Sequence, residues 1–170
     1  MSRASPLPLH RKTALAASVW TGYLQVRRRL PGGDLNELVA WSASQADPPL
    51  DPLPPKSLGR IVDRLLPFRL SRATCLARSL VLFRLLLRQG LHPELVVGLP
   101  VRGQGHEAHA WVEVDGADVG PPPGGRHHRP LARYPTPDEG ASEGTARRPG
   151  TDPGAPPGRG AGGPARPGMR

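Results

Sequence analysis

The stretch from Thr74 to Gly90, TCLARSLVLFRLLLRQG, constrains this chain more than any other. Leu76, Leu80, Phe83 and Leu87 recur at spacings of four and three, and Leu82, Leu85 and Leu86 broaden the stripe. A helix this apolar is buried on most sides, so the ordered remainder of the chain has to wrap around it. Thr74 suits the N-cap position, which places Cys75 in the first turn. Gly90 suits the stop.

Two strands follow. Residues 94–99 (ELVVGL) are rich in β-branched side chains and read as a buried strand, and 101–105 (VRGQG) as a flexible connection. In AHAWVEV, Ala108, Ala110, Val112 and Val114 face one way, while His109, Trp111 and Glu113 face the other. Asp115-Gly116 is a two-residue hairpin turn, so Ala117 to Gly120 return alongside.

The chain before Thr74 is helical in pattern. Residues 14–24 are apolar, and Asp34 caps a segment carrying Leu35, Leu38 and Val39 at helical spacing. Residues 47–55 (DPPLDPLPP) lack the donors that a helix or central strand needs and form a linker or extended arm. Leu58, Ile61, Val62, Leu65 and Leu66 then share one face of a short helix ended by Pro67. The expected fold class is α+β. A helical region over 1–70 precedes a core over 71–135, in which the Cys-bearing helix packs on a small antiparallel sheet.

Composition limits the ordered part. Most of the 21 Gly and 23 Pro crowd the last third, so residues 136–170 are expected to be disordered. Pro130, Leu131 and Tyr134 form the one segment there suited to docking on the domain. The net charge of +9 raises nucleic-acid binding, but many of the arginines are dispersed in the tail or lie on amphipathic helices. Aromatics are 4% of the chain, too few for a base-stacking platform, which leaves nucleic acid as the weakest reading. A single Cys excludes an internal disulfide framework and suits a reducing cytosol. The N-terminus resembles a signal peptide superficially, yet its apolar run is short and broken by Ser18, Thr21 and Gly22, with Arg27-Arg28-Arg29 directly after. A cytoplasmic protein with no membrane span is expected.

Cys75 and His109 carry the chemistry. A lone Cys with a His on a later strand is a candidate nucleophile and base, although a lone Cys is more often a small buried hydrophobe. A thiol must be deprotonated to act, and a helix N-terminus favours that through its dipole and free N–H groups. The same N–H groups could stabilise an oxyanion. Trp111 and Glu113 read equally as cleft wall and as ordinary packing. HEAH at 106–109 is not the helical HExxH of zinc proteases, and no metal or other cofactor is expected.

CLARSL, AHAWVEVDG and the V-G that follows together resemble the B2 family of lasso-peptide biosynthesis proteins, transglutaminase-like (papain-like) cysteine proteases. The likeness covers roughly residues 71–134. It implies a peptidase that removes the leader from a ribosomally made precursor, next to a threonine near the leader's end. The implied partners are a small leader-recognition protein (B1) and an asparagine-synthetase-like, ATP-consuming cyclase. It implies Cys75 as nucleophile, His109 as base, and Arg78, Trp111 and Glu113 around the cleft. No leader-binding module is visible in this chain, which matches the split form of the family.

The family's third, acidic residue falls on Pro121 here. Asp118 is the nearest acid on the return strand, but the turn pairs it with Glu113, about 13 Å along the strand from His109. Glu107, two residues before His109 on the same face, is another option. The competing expectation is therefore a catalytically degenerate homologue that holds precursor and partner proteins without cutting.

Overall fold

The computed structural model describes residues 8–45, 48–66, 74–101, 108–120 and 127–137. Helices α1 (Leu9–Arg29), α2 (Leu35–Ser44), α3 (Pro55–Leu65) and α4 (Thr74–Leu87) precede strands β1 (Pro93–Pro100), β2 (His109–Val114), β3 (Ala117–Asp118) and β4 (His128–Pro135). The strands make one antiparallel sheet in the order β3-β2-β1-β4, and the fold class is α+β.

The helix that dominates the sequence dominates the packing. Every residue of α4 from Ala77 to Leu86 is buried. It touches α1, α2 and α3 as well as β1 and β2. Its C-terminus closes as a Schellman motif: Gly90 at φ 73° donates to Leu87 O at 2.9 Å, and Leu91 N to Leu86 O at 3.2 Å. At the other end Thr74 is the first helical residue rather than the cap before it, which makes Cys75 the second.

The remaining helices lay apolar stripes on α4. α1 buries Leu15, Val19, Tyr23 and Val26. The Asp34 carboxylate caps α2, accepting from Asn36 N at 3.1 Å. Trp41 of α2 lies between two guanidinium groups, Arg29 at 4.6 Å and Arg84 at 4.8 Å from its ring, which ties α1, α2 and α4 together. The proline-rich arm docks on the end of α4: Leu50 N donates to Arg88 O at 3.0 Å, and Arg88 Nε to Pro48 O at 2.8 Å. α3 buries Leu58 and Val62, with Leu66 buried just beyond its end; Pro67 lies outside the described residues. No helix among the described residues is long and apolar enough to cross a membrane.

Leu95, Ala110, Val112 and Val114 turn toward the helices and join one continuous core with them. Asp115 (φ 51°) and Gly116 (φ 72°) both take the left-handed region that a tight hairpin requires. The register is Val114 opposite Ala117 and Glu113 opposite Asp118, as the turn predicts. β3 itself is only two residues long, although Val119 N still donates to Val112 O at 2.9 Å.

The chain after the hairpin departs from expectation. The segment expected only to dock is an eight-residue strand, β4, paired along β1. Ala132 lies opposite Val97 and Tyr134 opposite Leu95, and Tyr134 packs on the core, whereas Leu131 is exposed. Thr136 Oγ1 donates to Pro93 O at 2.7 Å, so the ordered chain continues past 135. Residues 138–170, the bulk of the expected disordered tail, lie outside the described residues.

Candidate active site

The site forms where the start of α4 meets the start of β2. Cys75 and His109 line one small cleft together with Asp63 of α3, Arg78 and Ser79 of α4, and Gly120 beyond β3. Its free space is about 20 Å³, room for one water molecule. Cys75 is half-buried and is a free thiol.

Three interactions hold the two elements in place. Ser79, one turn beyond Cys75, donates its hydroxyl to Ala110 O at 2.9 Å, next to His109. Arg78 pairs with the Asp63 carboxylate and ties α4 to α3 beneath the thiol. Arg78 is 5% exposed, and burial holds its guanidinium below the usual arginine range. The third interaction lies within β2, between His109 and Trp111, which alternate onto the same face of the strand. The His109 ring lies nearly parallel to the Trp111 indole, 17° apart with centroids 6.3 Å apart.

Trp111 and Glu113 follow His109 along β2 and are absent from the cleft lining. Trp111 is 1% exposed, and its Nε1–H donates to Glu113 Oε1 at 2.9 Å. The other Glu113 oxygen accepts from Arg133 Nη1 at 2.8 Å, and the same Arg133 nitrogen reaches Glu94 at 2.5 Å. Both carboxylates, Glu113 first, raise the pKa of Arg133 against the opposing cost of its burial. This part-buried chain of hydrogen bonds fixes the indole that lies nearly parallel to the His109 ring.

Asp118 stands opposite Glu113 in the register. Its Oδ1 accepts from Gly120 N at 3.0 Å, which turns the carboxylate along the strand toward the level of Trp111. Glu107 and Pro121 lie outside the described residues. Among the described residues, no group of three or more His, Cys, Asp or Glu side chains could hold a metal ion.

Sequence reasoning passed over three contributors. Asp63 carried no signal before α3 was placed beside α4. Gly98 reads as an ordinary strand residue, yet a Cβ there would lie 2.5 Å from Arg129 O and 2.9 Å from Trp111 Cη2. Glycine inside a strand is a mark of close approach, and that was the available clue. His128 is the third: its ring centroid is 4.8 Å from that of His109 and 6.2 Å from that of Trp111.

A family model described as the transglutaminase-like superfamily matches residues 18–133. The match runs from α1 into β4 and so takes in the helices as well as the Cys–His unit. Neither a curated protein nor a solved structure gives a significant match.

Proposed function

The chain belongs to the transglutaminase-like superfamily, and on that footing we propose that it is a cysteine peptidase removing the leader from a ribosomally made lasso-type precursor. The observation that carries the reading is the shared cleft of Cys75, at the start of α4, and His109, at the start of β2. The Cys75 proton passes to His109, and the thiolate adds to the scissile carbonyl. The oxygen of the tetrahedral intermediate lies toward the free N–H groups at the start of α4. His109 returns the proton to the leaving amine, the C–N bond breaks, and the leader is left as a thioester on Cys75. Water, deprotonated by His109, then releases it. Arg78, one turn along α4, adds positive charge below the reacting atoms, moderated by Asp63.

The leader as substrate rests on the resemblance of CLARSL and AHAWVEVDG to the B2 family, as do the partners, a B1-like recognition protein and an asparagine-synthetase-like cyclase. A water-sized cleft agrees with a peptide that a separate protein presents across its mouth. The test is incubation of the protein with its cognate precursor, with and without the recognition protein. Two fragments whose masses add to that of the precursor plus one water support the reading. An intact precursor in the presence of the recognition protein overturns it. Pro121 in place of the family's acid favours one second reading, a non-cutting scaffold, which would retain the precursor in a pull-down without cleaving it.

A further inference from the structure

β1 runs between β2 and β4, and at Gly98 it carries no side chain. Gly98 pairs with His109 on one side and Pro130 on the other; the Trp111 indole lies over it, and the rings of His109, Trp111 and His128 lie within 6.3 Å of one another, centroid to centroid. His128 is half-buried at the start of β4. Its ring is tilted by 32° to that of His109 at a centroid separation of 4.8 Å. Ring nitrogens that point at each other across that separation lie within hydrogen-bond reach.

We propose that His128 is a positioning residue for His109. The neutral His128 imidazole accepts the N–H of His109 that faces away from Cys75, which fixes the tautomer whose other nitrogen takes the thiol proton. The proton moves from Cys75 Sγ to His109 and stops there, while His128 keeps its own and solvates the imidazolium that forms. A second imidazole in this place is chemically suited to the task, because its unprotonated ring nitrogen accepts a hydrogen bond. The Trp111 indole lies nearly parallel to the His109 ring, 17° apart at a centroid separation of 6.3 Å.

The proposal rests on the Cys–His assignment, so its test must not depend on the peptide substrate. The rate of Cys75 alkylation by iodoacetamide at pH 7 reads the thiolate directly, in the full-length protein. His128→Phe, which keeps an aromatic ring but no acceptor, is expected to slow alkylation about tenfold, the scale of a modest acid–base contribution. His128→Gln, whose amide oxygen can accept, is expected to recover most of the rate. Nitrogen-15 shifts of the His109 ring should report one tautomer in the parent and in His128→Gln, and a mixture in His128→Phe. Equal alkylation rates and an unchanged His109 tautomer in all three proteins would overturn the proposal. If His128→Phe fails to fold, the comparison of the parent with His128→Gln and His128→Asn decides it. Retention of the rate by Gln with loss in the shorter Asn supports a hydrogen bond of defined reach, and a rate lost in both overturns it. Failure of precursor cleavage with a normal alkylation pattern would count against the substrate and leave the His128 role standing.

Discussion

The Ser79 hydroxyl donates to the carbonyl of Ala110 at 2.9 Å, and this one bond joins the helix that carries Cys75 to the strand that carries His109. Ser79 is four residues from Cys75, and Ala110 is adjacent to His109. Both ends of the bond are buried. Serine is otherwise an indifferent residue in the middle of an apolar helix. Here its value is registration, because the separation of thiol and imidazole depends on how α4 sits on β2.

Ser79→Ala is expected to destabilise the protein by about 1 kcal/mol, the net worth of a buried hydrogen bond. Turnover is expected to fall further than that loss alone implies, with KM little changed, since a displaced base is felt in the chemical step. Urea unfolding and steady-state cleavage kinetics check the two halves separately.

Arg78 and Asp63 form a tie with unequal ends, a guanidinium side chain 6% exposed against a carboxylate side chain 43% exposed. Removing the exposed partner leaves a charge in a place where burial already disfavours it. Asp63→Ala is therefore expected to cost about 1–3 kcal/mol, and Arg78→Leu with Asp63→Ala together less than the sum of the two single changes. Denaturant midpoints of the four proteins in this cycle give the answer.

Gly98→Ala places a methyl group 2.5 Å from Arg129 O and 2.9 Å from Trp111 Cη2. Backbone on one side and a buried indole on the other leave little room to yield. A loss of about 1–3 kcal/mol is expected, as for overpacked cores. Tryptophan fluorescence should shift as Trp111 loses its fixed place, and activity should drop with it through His109.

The central helix was legible because Leu76, Leu80, Phe83 and Leu87 repeat at the helical period and Gly90 ends the repeat. The hairpin was legible because Asp115-Gly116 allows few other conformations, and the pairing of Glu113 with Asp118 followed from it. β4 was hidden. Pro130 and Pro135 argue against a strand, and Arg129, Arg133 and His128 dilute the apolar pattern. An edge strand tolerates both, since one row of its N–H groups faces away from the sheet. What remained visible was the alternation of Ala132 and Tyr134 with Leu131 and Arg133. The roles of Trp111 and Glu113 were undecided for a different reason. Alternation gives the face on which a residue lies but not what covers that face, and it is Arg133, on the hidden strand, that draws Glu113 away from the cleft.

Asp118→Asn tests the hairpin from the functional side. With its carboxylate held by Gly120 N and its register opposite Glu113, Asp118 is expected to matter little to proton transfer. The substitution keeps an oxygen to accept from Gly120, and cleavage is expected to fall less than about tenfold. The loss in a well-studied triad whose aspartate is replaced is roughly 10⁴. A loss on that scale here would make Asp118 the third member of the site.

Single-turnover cleavage of the cognate precursor by Cys75→Ala, His109→Ala and the double variant tests the Cys–His assignment most directly. A nucleophile and its base act as a unit, so each single change should abolish nearly all turnover and the double change should add little. Far-ultraviolet circular dichroism should match the parent in all three, because neither side chain supports the core. Cleavage by Cys75→Ala at the parent rate, or two partial and multiplicative losses, would contradict the account.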